Sequence, residues 1–217
     1  MPDLAVSFKP RLRGVFHQWA CLCSMPLGLA LVVAADRTGA RIAVAVYAVT
    51  LVALFGVSAV YHRVNWRSLA ARRWMRRLDH SMIFMLIAGS YTPFAALALH
   101  GPLAIALLIA VWTGAIVGVV FNLAWGNAPN WLRAVLYITL GWIAVAALPQ
   151  LAVAIGLAGL TLLALGGALY TVGAIVYAVK RPNPAPEVFG YHEIFHILVI
   201  AAAALQFAVI AFWILPD

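Results

Sequence analysis

From Trp131 to Val179 the chain runs for 49 residues with a single charged side chain, Arg133. As one helix this block would be about 74 Å long at 1.5 Å per residue, over twice the ~30 Å hydrocarbon core of a bilayer. It must double back, and Pro149-Gln150 is the expected turn. Further apolar runs lie near 17–35, 41–62, 78–98, 102–124 and 190–215. Each approaches or exceeds the roughly 17–25 residues that cross a membrane. The runs are continuous rather than alternating, so the backbone satisfies itself in helices instead of barrel strands. Composition agrees, with 66% apolar and 9% charged residues, against roughly 45–50% and ~25% in soluble domains.

The expected fold is therefore an all-α integral membrane protein with no separate soluble domain. A basic arm covers 1–16, and a single seven-transmembrane-helix bundle covers 17–217. Its spans lie near 17–35, 41–62, 78–98, 102–124, 131–148, 151–179 and 190–215. The first run is longer than the ~7–15-residue core of a signal peptide and more spans follow it, so it is read as a retained helix.

Fourteen Lys and Arg against six Asp and Glu would suit a nucleic-acid partner. Their placement argues otherwise. Twelve of the fourteen fall on the arm and on the alternate loops at 63–77, 133 and 180–181, leaving only Arg37 and Arg41 opposite. By the positive-inside rule this puts the N-terminus in the cytoplasm and the C-terminus outside. No nucleic acid is expected. The arginines of the 63–77 loop are expected to meet anionic lipid headgroups. Cys21 and Cys23 are too few for a disulfide framework and read as small buried apolar residues.

The last span opens with Gly190-Tyr191-His192-Glu193-Ile194-Phe195-His196. On a helix His192 and His196 share a face, and H-E-x-x-H is a zinc-binding spacing. Ionisable groups inside a membrane are costly and usually serve a function. Topology adds partners at the same depth: His62 ends the second span, and Asp79 and His80 begin the third. His62, His192 and His196 are assigned as metal ligands, three imidazoles leaving an open position. Asp79 is the preferred base for water activation, with Glu193 either an alternative base or the partner of a loop arginine. Ser58, one turn before His62, either bonds its own helix or contacts the water or substrate carbonyl. His80 points away from Asp79 and is expected to bond a neighbouring helix. His17 lies at the rim or serves as a further ligand, whereas His100 lies on the far side. Pro93 is expected to kink the third span.

Three separated motifs, Ser58-Ala-Val-Tyr-His62, Asp79-His-Ser-Met-Ile-Phe with Ala88-Gly-Ser-Tyr-Thr-Pro93, and Phe189-Gly-Tyr-His-Glu-Ile-Phe-His196, occur in order. With them the chain resembles the bacterial hemolysin III family, the prokaryotic branch of the progestin and adipoQ receptors, related more distantly to alkaline ceramidases. The resemblance implies a multi-pass protein of the bacterial inner membrane with an intracellular zinc on His62, His192 and His196. It also implies roles for Asp79 and Ser58. Many members carry Glu and Asn shortly before the first-helix histidine, where this chain has Pro10 and Arg13.

The leading functional expectation is a zinc-dependent hydrolase of a membrane lipid amide or ester, with iron as an alternative metal. A non-enzymatic regulator or receptor with a structural zinc and a cytolytic pore-former compete with it. An intramembrane metalloprotease would rest on H-E-x-x-H alone.

Overall fold

The computed structural model describes residues 10–215. Lys9 and the rest of the expected arm before Pro10 lie outside them. The chain forms α1 (Val15–Ala34), α2 (Thr38–Arg63), α3 (Leu69–Pro93), α4 (Gly101–Ala124), α5 (Asn130–Gly141), α6 (Leu148–Val179) and α7 (Tyr191–Val209). No strand occurs among the described residues, only an isolated bridge between Ala185 and Phe189. Six stretches are long and apolar enough to cross a membrane. One of them, Asn130–Val179, contains α5, a 3-10 turn over Trp142–Ala147, and α6.

That stretch does double back, but not where the proline suggested. Tyr177 Oη donates to Asn130 Oδ1 at 3.3 Å and Trp142 Nε1 donates to Thr171 Oγ1 at 3.0 Å, so its two ends lie side by side. Midway sits Gly156 at φ 61, ψ −177, a backbone region essentially reserved for glycine. Pro149 lies in the first turn of α6, where its missing N–H leaves nothing unpaired. The expected boundary at 148–151 therefore moves to Gly156. The arms become 130–155 and 157–179, about 39 and 34 Å long at 1.5 Å per residue.

The Arg-rich loop also shortens. Ser68 Oγ accepts from Ala71 N–H at 3.3 Å and caps α3 at its start. Residues 69–77, expected as loop, are thus its first turns. Arg76 donates to Gly126 O and Asn127 Oδ1, and Arg77 donates to Leu123 O. Buried Arg133 donates to Asn122 Oδ1, Gly126 O and Ala128 O. Three cations thereby surround the C-terminus of α4, where carbonyls lack helical partners and the dipole is negative. Arg63, Arg67, Arg72 and Arg73 remain exposed.

Small residues let the helices approach closely, as they do in lipid. Gly159, Gly166 and Gly173 recur every seven residues along α6. A Cβ at Gly166 would sit 3.4 Å from Ala202 O, and one at Gly173 would sit 3.4 Å from Leu198 Cβ. α3 meets α2 more tightly still. A Cβ at Gly89 would lie 2.0, 2.8 and 2.9 Å from Thr50 Oγ1, Cβ and Cγ2, so rotating the threonine cannot relieve the clash. Gly89→Ala is expected to destabilise the bundle by about 1–3 kcal/mol. Thermal unfolding in detergent at an unchanged midpoint would refute this packing.

α1 flanks the bundle against α2 and α7. Cys21 is buried there, but Cys23, expected to be buried as well, is exposed. At Pro93, α3 gives way to a π-helical turn over Phe94–Ala98.

Candidate metal centre

α7 starts where Gly190 N–H donates to Glu193 Oε2 at 2.9 Å, the return half of a capping box. This fixes the first turn and puts His192 and His196 on one face, ring centroids 4.5 Å apart. The last turn of α2 brings His62 to them: its Nε2 is 3.0 Å from His192 Nε2, and its ring is 5.2 Å from that of His196. One nitrogen from each of the three lies within 4.8 Å of the others. All three residues are buried, at most 7% exposed. A tetrahedral zinc with Zn–N near 2.0–2.1 Å separates its nitrogens by about 3.3 Å, so this spacing fits a divalent metal ion. The fit has a second sign. His196 Nδ1 is buried without a hydrogen-bond partner, and such groups normally find one. The three histidines could hold a metal ion.

Asp79, on α3, places Oδ2 3.9 Å from His62 Nε2. Ser58, buried one turn before His62, lines the same cavity beside the Asp79 carboxylate. The structure thus gathers His62, His192, His196, Asp79 and Ser58 at one end of the bundle.

The remaining candidates separate. Glu193 is fully buried, and its other oxygen, Oε1, takes Arg13 Nε at 2.5 Å. Both oxygens are engaged, one in the ion pair with Arg13 and the other in the cap of α7. Of the two readings of Glu193, pairing with an arginine is the one seen, although the arginine comes from the start of α1. Removing one partner of a buried pair costs about 3–5 kcal/mol. Arg13 retains 21% of its side-chain exposure, so the lower end applies. His80 bonds a neighbouring helix: its Nε2 lies 2.8 Å from Tyr177 Oη, and Tyr137 Oη donates to its carbonyl. His17 stacks on His196 with centroids 3.7 Å apart and planes within 10°, both its ring nitrogens buried and unpartnered. It adjoins the three histidines without joining their donor group. His100 precedes α4 at the opposite end, where its N–H donates to Gln150 Oε1.

A cavity of about 110 Å³ extends from Asp79, His192 and His196 past Ile83, Ile87 and Val199 to Ser90, Tyr91, Trp142 and Gln206. From His192 to Gln206 on α7 is fourteen residues, about 21 Å of rise. The lining is mostly apolar, with polar groups at both ends, the usual make-up of a small-molecule site.

Sequence reasoning did not assign the Arg13 contact. Its signal was a cation just before the first-span histidine.

Fold and site define a class: multi-pass helical membrane proteins with a histidine cluster and a carboxylate buried at one end of the bundle. The sequence model of the haemolysin-III-related family matches residues 6–207, and the chain belongs to that family. It is 32% identical to Hemolysin-3 of Bacillus cereus over 205 residues, covering 93% of this chain and 90% of that protein. To the Hemolysin-3 homolog of Bacillus subtilis (strain 168) it is 30% identical over 202 residues, covering 92% and 91%. To the human Monocyte to macrophage differentiation factor it is 29% identical over 177 residues, covering 79% and 70%.

Proposed function

We propose that this protein is a metal-dependent hydrolase of a lipid amide or ester, acting in membrane lipid homeostasis from the inner membrane of a bacterium. In this reading the bundle crosses the bilayer seven times, the reversal at Gly156 separating the fifth and sixth spans. The N-terminus is cytoplasmic, the C-terminus outside, and the histidines lie near the cytoplasmic headgroups. The observation that carries the reading is the meeting of three imidazoles and the Ser58–Asp79 pair at one end of an apolar cavity.

His62, His192 and His196 hold the ion, zinc by donor type with iron also compatible. Such an ion supplies Lewis acidity, polarising a carbonyl and acidifying water beside it. The rest falls to the chain. The cavity accepts the apolar part of a lipid and excludes bulk water. Asp79 takes a proton from the attacking water as its oxygen bonds to the carbonyl carbon. It returns that proton to the leaving amine or alcohol as the C–N or C–O bond breaks. Ser58 orients the Asp79 carboxylate. Exposed Arg63, Arg67, Arg72 and Arg73 attract anionic headgroups.

The test uses metal-loaded protein in vesicles with ceramide-like and acyl-ester lipids, scored by released fatty acid. Turnover of at least one class is expected. None with any of them at any pH, with metal bound, would sink the hydrolase.

Asp79 lies near enough to His62 to favour a second reading, a regulator in which it completes a four-ligand structural site. Metal-edge X-ray spectroscopy separates the two, because a carboxylate oxygen bound to the metal and no exchangeable water belong only to the regulator.

A further inference from the structure

Eight residues at the start of the described chain touch every element that carries a site histidine. The N–H groups of Arg11 and Leu12 donate to the carbonyls of Glu187 and Val188, just before α7. Arg13 reaches Glu193, beside His192. Gly14 has φ 79, and a Cβ there would stand 2.5 Å from His62 Cβ. Phe16 meets Phe189 edge-on at 6.1 Å, and His17 stacks on His196. These contacts do not serve the start of α1 itself, since Gly14 caps it without a side chain.

We propose that residues 10–17 form a strap closing the water-facing end of the histidine cluster, with Arg13 on Glu193 as the latch that slows metal exchange. This rests on the metal-centre reading above. Among the described residues the cluster also opens onto the apolar cavity, a poor route for a hydrated cation, which favours exchange past the strap. Glu193 is suited to be the catch because its second oxygen is tied to Gly190 N–H, fixing it to the first turn of α7. Gly14 lets the strap lie directly on His62: its positive φ and the absence of Cβ are both required there. Arg13 is thus a positioning residue that acts on the metal through Glu193 and the α7 histidines.

The test loads the full-length protein with zinc in lipid nanodiscs and follows transfer of zinc to a colorimetric chelator. Arg13→Gln removes the latch. Glu193→Gln removes its charge yet keeps an oxygen for Gly190 N–H, so the helix start survives. Both are expected to release zinc roughly 10–100-fold faster, with full occupancy in excess zinc. The double variant is expected to be no faster than either single one, since both lose the same contact. Arg13→Lys is expected to recover part of the slow release. Wild-type release rates in both single variants would overturn the strap, as would a lowered unfolding temperature without faster release. Independent, multiplying effects in the double variant would overturn the latch. A wild-type protein that takes up no zinc would instead overturn the metal centre itself.

Discussion

Alanine at any one of His62, His192 or His196 is expected to strip the purified protein of stoichiometric metal. The three imidazole nitrogens lie within 4.8 Å of one another, so each is a third of the protein's donor set rather than a distant modulator. Losing an outer partner of a ligand typically weakens metal binding about 10–100-fold, and losing a ligand itself must exceed that. Elemental analysis of each variant measures the effect, and the wild-type sample decides between zinc and iron. Comparable loss in all three variants means that one ion joins α2 to α7. Full occupancy in His62→Ala would confine the site to α7 and end the inter-helix proposal. His17→Ala is the natural contrast and is expected to keep its metal, because His17 stacks on His196 but stands outside the donor group.

Asp79→Asn is expected to keep the metal and lose lipid turnover by about 10²–10⁴-fold, the usual worth of a positioned general base. The substitution preserves size and the ability to meet Ser58 while removing the proton acceptor. Turnover and metal content measured on one preparation separate the possible outcomes. Loss of metal along with turnover would make Asp79 a ligand and favour the regulator. Near-normal turnover in Asp79→Asn, with loss in Glu193→Gln at full occupancy, would return the base to Glu193. The hydrogen bonds argue against that reversal, because the two Glu193 oxygens already hold Arg13 and Gly190 N–H.

Where the chain pattern was strong, the architecture was legible. Long uncharged runs leave helices as the only economical backbone, and the i, i+4 spacing of His192 and His196 fixes a shared face. That His62, Asp79 and Ser58 meet them followed from counting spans and asking which ends share a depth. What escaped were features set by tertiary contact. Pro149 is as compatible with a helix start as with a turn, and only a neighbouring arm decides that the reversal falls on Gly156. The arginines at 72–77 read as loop by charge, yet Ser68 and the free carbonyls beyond α4 draw them into helix. Glu193 kept two readings because its partner lies 180 residues away in sequence. Cys23 was misplaced because two residues on a peripheral helix need not share its inner face.

His62 and His192 are separated by 130 positions, and the segment that covers them comes from the opposite end of the chain. During synthesis at ~5–20 residues per second, the second helix waits on the order of ten seconds before its partner is made. A polypeptide halted anywhere in between can populate the bilayer with plausible helices yet possess no histidine cluster. The cluster therefore forms only once α7 has been made and has packed beside α2.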